Sequence, residues 1–143
     1  MIFSALSLFS DDQAITASAD STNVMDLGVA GTPYGGAAAL NRDIGKGAKI
    51  PVLVQVTEAF DNLTSLEIKI STGSATTLGT TIASEVVLLA DLVAGKQLVI
   101  DCLPTGITER YLGIEYAVTG TNPSAGKITA GITMGNQTNV TGA

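Results

Sequence analysis

The chain has 143 residues, with seven Lys and Arg against thirteen Asp and Glu, a formal charge of −6, and no His. That length suits one domain, which buries roughly two thirds of its unfolded surface with no metal or disulfide to hold it. The acidic balance and scattered basic residues argue against binding a phosphate backbone, and the lack of His removes the commonest general base, the serine triad and nearly every zinc site.

With 45% hydrophobic residues but only 4% aromatic and no Trp, the core has to be built from Val, Ile, Leu and Ala. Alternated with Thr and Ser, these residues favour strands. The charged share of 14% is well below the usual figure of about 25%, which suits either a surface covered by neighbours or simply a neutral one.

In chain order, residues 1–10 are apolar enough to raise the question of a signal peptide, but no Lys or Arg precedes Arg42 and the run is too short for a membrane span. Residues 1–12 read as an interface arm or as part of the mature fold rather than a signal peptide, with Phe3, Leu6 and Phe9 as contact residues in the first case and core in the second. Gln13–Ala19 and Asn23–Leu27 are predicted as short strands separated by Asp20 and Ser21. Residues 28–50 show no periodicity and hold Gly31-Thr32-Pro33-Tyr34-Gly35-Gly36 and Gly45-Lys46-Gly47. Loops beyond about 12 to 15 residues are usually functional or mobile. An intersubunit contact is expected here, at Tyr34, Arg42 and Asp43.

Strands are predicted at Pro51–Glu58 and Ser65–Ser71, joined by Ala59–Thr64. Leu66, Ile68 and Ile70 face in, and Glu67 and Lys69 face out. Glu85–Leu89 is read as a strand in preference to a short helix, followed by a loop over Ala90–Lys96. Gln97–Leu103 is a strand stopped by Pro104-Thr105-Gly106. The clearest pattern is Tyr111–Val118, with Leu112, Ile114, Tyr116 and Val118 on one face, and Lys127–Met134 repeats it with Ile128, Ala130, Ile132 and Met134. Thr119–Gly126 joins the two as a turn. Gly113 and Gly131 lie in strand interiors, where glycine marks a bulge or a close backbone approach. Seven to nine short strands without a long helix predict a single all-β domain, an antiparallel β-sandwich or barrel.

Little chemistry is visible. Cys102 shares a phase with Leu98 and Ile100 and is expected in the core, and one cysteine allows no internal disulfide, which fits a reducing cytoplasm. Glu58, Asp61, Glu85, Asp101, Glu109 and Glu115 show no pairing of the kind a glycosidase needs. Asp11, Asp12 and Asp20 lack the spacing of a calcium loop, and Gly45-Lys46-Gly47 lacks the frame of a phosphate-binding loop. No enzyme activity, cofactor or metal is expected.

The run Leu103–Gly113, followed by Tyr116, Ala125-Gly126 and Thr129-Ala130-Gly131, resembles the C-terminal half of the Bbp16-type capsid cement proteins of tailed bacteriophages. Leu8–Ala19, Ser21–Val24, Asp26–Gly28 and Arg42–Gly47 are similar to that family's opening. Leu63–Leu98 matches only in character, and the tail after Gln137 carries nothing over. The resemblance implies a jelly-roll-like sandwich. It also implies a structural virion protein, made in the host cytoplasm, that sits as a homotrimer on the outer capsid surface between subunits of the major capsid protein. Nucleic acid and membrane are not among the expected partners. Contact residues at the Glu109-Arg110-Tyr111 junction join those of the arm and loop, although Arg110 also has Glu109 and Glu115 close in sequence to pair with. The alternative is a carbohydrate-binding or adhesin-like module, which the shortage of aromatic rings disfavours.

Overall fold

The computed structural model describes residues 3–40, 43 and 49–135. Within them the strands are β1 (Phe3–Ala14), β2 (Ala19–Asp20), β3 (Met25–Asp26), β4 (Val52–Glu58), β5 (Leu63–Gly73), β6 (Thr80–Leu88), β7 (Gln97–Ile100), β8 (Tyr111–Gly120) and β9 (Lys127–Thr133). A 3-10 turn, Leu89–Asp91, follows β6. One sheet has the order β1-β9-β4-β7 and the other β2-β8-β5-β6, with β3 also on β8. Every pairing is antiparallel.

β2 and β3 act as one interrupted strand along β8. Ala19 faces Tyr116 and Met25 faces Leu112, and in the gap Ser21 N–H donates to Ile114 O while Ile114 N–H donates to Ser21 Oγ. Counted this way, only the β5–β6 hairpin stays within a sheet. Every other connection crosses between sheets, which is the strand order of a jelly roll.

The alternation in β5, β8 and β9 explains why the two layers meet where they do. Leu66, Ile68, Ile70, Leu112, Ile114, Tyr116, Ile128 and Ala130 join Val52, Val54 and Val56 of β4 in one buried cluster between the sheets. Glu67, Lys69 and Glu115 lie on the outer face, where Lys69 Nζ stands 3.0 Å from Glu115 and 3.9 Å from Glu67. Tyr116 is fully buried, and its hydroxyl is satisfied by Ser10 Oγ at 2.8 Å, which ties β1 across to β8. Burial pushes the Tyr116 pKa well up, against the opposing pull of the Ser10 hydrogen bond. The turn between β8 and β9 is held by Asp61, which accepts from the backbone N–H groups of Ser124 and Ala125 and from the Ser124 hydroxyl. Those bonds, the Ser124 hydroxyl's first, hold its carboxyl below the usual range.

Several expectations need correction. The segment expected as an arm is the edge strand β1, and Phe9 is 2% exposed in the core, so it is fold rather than contact surface. Register shifts between Phe3 and Leu8, Leu8 and Ser10, and Ser10 and Gln13 break its parity, which is why no alternation shows in the sequence. The strand expected at Gln13–Ala19 is the end of β1, a bend and the two-residue β2. β6 starts at Thr80 rather than Glu85. β7 stops at Ile100, the chain bends at Asp101, and Cys102 is exposed instead of buried. Met134 likewise lies one residue past β9 and is exposed.

Gly113 and Gly131 are close-approach glycines. A Cβ on Gly113 would meet Leu78, Ser21 and Val24 side chains, whereas one on Gly131 would lie 2.7 Å from the Ser7 carbonyl oxygen and 3.1 Å from Leu8 Cα. The second obstacle is backbone, because β1 bulges across β9 at this point: five residues of β1 advance while β9 advances two, from Phe3↔Thr133 to Leu8↔Gly131. Gly131→Ala is therefore expected to cost about 1 to 3 kcal/mol, the range for overpacking, read as a lower urea midpoint. An unchanged midpoint would show that β1 can move away freely.

Candidate functional site

The flank formed by β1 and the β2/β3 strand carries three of the expected contact residues, Phe3, Leu6 and Phe9, and the root of the long loop. Phe9 O accepts from Asn23 N–H, and the Gln13 side chain bonds Asp20 O and Thr22 N–H, so the two edges run side by side. In the β1 bulge the four residues Ser4–Ser7 stand opposite Ile132 alone. Ser7 Oγ fixes the bulge by donating to Ser4 O and Ile132 O, and Leu6 projects from it, 93% exposed. Phe3 is half-buried near Gly131.

The long loop leaves this flank from β3, and Arg110 secures its root. Arg110 Nε and Nη2 donate to the two Asp26 carboxylate oxygens at 2.7 and 2.6 Å. Gly28 N–H also donates to Asp26 Oδ1, and Leu27 N–H donates to Arg110 O. The guanidinium lies 5.1 Å from the Tyr111 ring centroid, a cation–π arrangement. The adjacent Asp26 raises the Arg110 pKa further. Arg110 thus pairs with Asp26, not with Glu109 or Glu115. Asp26 was missed because 84 residues separate the two in sequence. Glu109 is half-buried, and its Oε2 has no hydrogen-bond partner among the described residues.

Beyond this root, residues 29–40 form an ordered projection. Gly36 N–H donates to Pro33 O at the tip, and Leu40 N–H donates to Gly31 O to close the base. All twelve residues are exposed and none is charged. Tyr34 is wholly exposed at the tip, with Val29 and Leu40 on either side. Asp43 is half-buried, and Arg42 lies outside the described residues.

The bidentate pair has a testable role. Arg110→Gln leaves one donor group where there was a fork, so cleavage by a protease of broad specificity should speed up within residues 28–40 and nowhere else. Unchanged cleavage would mean the loop is held by its own bonds alone.

Elsewhere, Lys49, Pro51, Asp101, Cys102, Met134 and Gly135 line a cleft of about 390 Å³. Among the described residues no three His, Cys, Asp or Glu side chains gather as a metal site, and no helix is long and apolar enough to cross a membrane.

The family model for Bbp16 matches residues 9–132. The chain belongs to the Bbp16 family. No curated protein matches it significantly. The Bbp16 match contains the loop, Asp26, Arg110 and Tyr111, and it begins after Phe3 and Leu6. The Arg110-anchored projection therefore lies within the family region, whereas the β1 bulge lies outside it.

Proposed function

We propose that this Bbp16-family chain is a non-enzymatic virion protein, a capsid cement that binds the outer surface of a tailed-phage shell between major capsid subunits. The observation that carries this reading is the uncharged projection of residues 29–40, fully exposed and yet held by its own hydrogen bonds and the Asp26–Arg110 root. Apolar, ordered and unpartnered surface of this kind marks a protein contact. Leu6, on the same flank, extends the apolar contact beyond the loop.

A cement acts by mass action. It binds the assembled lattice and not the free subunit, so it stabilises the lattice against the outward pressure of packaged DNA. As a homotrimer it grips several subunits at once, and effective concentration turns modest contacts into firm attachment. A sugar-binding role has less support, because Tyr34 is the sole large aromatic side chain fully exposed among the described residues.

The test is co-sedimentation with undecorated expanded shells, set against unassembled capsid protein. Binding to shells alone is expected, with Tyr34→Ser binding far fewer copies. Equal binding to free subunits, or selective binding on a glycan array with none on shells, would count against the proposal.

A further inference from the structure

The four sheet edges are not equally protected. β1 is bulged and bonded to Asn23 through Phe9 O, β2 and β3 have two residues each, and β7 has four. Bulges, short strands and cover are the usual means of keeping an edge from pairing with another chain. β6 is different: past a one-residue bulge at Ile82 it pairs in regular register with β5 from Ala83 to Leu88, contains no Lys or Pro, and bonds through its backbone only to β5 among the described residues. It lies at the end of its sheet away from β2, on the flank opposite the loop.

Its side chains describe the partner. Val86 and Leu88, opposite Glu67 and Ser65, are on the outer face and 59% and 58% exposed. Val87, opposite Leu66, points into the core and is buried. Glu85, opposite the buried Ile68, shares that inward parity but is exposed at the rim. An inward-pointing charge on an edge discourages pairing, and two β6 strands meeting here would bring Glu85 towards a second Glu85, which is unfavourable across a ladder. A strand offering a cation at that position would gain instead. This chain has only seven basic residues against thirteen acidic ones and none in β6, so the cation is more readily supplied from outside.

We propose that β6 is an acceptor edge for an extended segment of another protein, one that sets apolar residues beside Val86 and Leu88 and a Lys or Arg beside Glu85. Backbone bonds to β6 supply affinity and alternate side chains supply selectivity, as in strand addition generally. The inference stands apart from the capsid reading, since it uses a different flank and a different kind of contact.

The probes are two end-capped peptides as long as β6, alternating Val and Thr and differing only in a central Lys or Glu. Fluorescence anisotropy with the full chain should show the Lys peptide binding about tenfold more tightly, and hydrogen exchange should show new protection confined to Thr80–Leu88. Glu85→Lys, at an exposed position where folding should be unaffected and a melting curve can confirm it, should reverse the preference. Equal binding of the two peptides, no saturable binding by either, or protection elsewhere would overturn the proposal. So would protection, before peptide is added, of those β6 amides that point away from β5, because a second copy would then occupy the edge.

Discussion

Ile114→Ala is expected to lower unfolding stability by about 2 to 5 kcal/mol, the range for truncating a buried aliphatic side chain. Ile114 has no exposed surface, pairs with Ile70 across the ladder, and sits between Leu112 and Tyr116 in the inter-sheet cluster. Collapse around the cavity is restricted, because Ile114 N–H and O are also bonded to Ser21. Glu115→Ala, one residue along, removes only the outer-face contact to Lys69, a half-buried surface pair whose loss costs far less than a core cavity. Urea unfolding of both variants checks the assignment of faces, and equal losses would show it to be wrong.

The second large effect concerns salt. With net charge −6 and an uncharged projection, the proposed attachment rests on apolar and backbone contact, and Arg110 is already committed to Asp26. Exposed charge pairs are screened over a Debye length of about 8 Å at physiological ionic strength and about 3 Å at 1 M, while apolar burial is hardly affected. Decorated shells should keep most of their copies when NaCl is raised to about 1 M. Deleting residues 31–39 should instead remove most copies at any salt. Loss of the wild-type protein at high salt would mean that charge pairs dominate.

What could be read from the sequence depended on how long a strand keeps its parity. β5, β8 and β9 alternate without interruption over their central residues, and their inward faces were assigned correctly from pattern alone. β1 has three register shifts, so Phe3, Leu6 and Phe9 look like an apolar run, and an edge strand with one core side chain, Phe9, reads as an arm. Removing residues 1–9 would therefore take away an edge strand and the buried Phe9, not a detachable contact. The first half of β6 carries no apolar alternation because it is an edge beside a bulge at Ile70 and Ser71. Cys102 was placed inside by continuing the phase of Leu98 and Ile100, a phase that ends where the chain bends.

The candidate site was legible as an absence of pattern. A long aperiodic stretch rich in glycine marked the loop, and Tyr34 was its obvious side chain. The device that orders its root was not legible, since nothing local links Asp26 to Arg110. The jelly-roll order brings them together by laying β3 against the start of β8, where Asp26 faces Tyr111.

The central claim is that this protein is part of a phage shell, and a quantitative mass-spectrometric inventory of purified virions tests it most directly. The account predicts peptides of this chain in a fixed ratio to the major capsid protein, retained through washing in high salt and accessible to protease on intact particles. Virions that lack the chain, or hold it only inside where protease cannot reach, would contradict it.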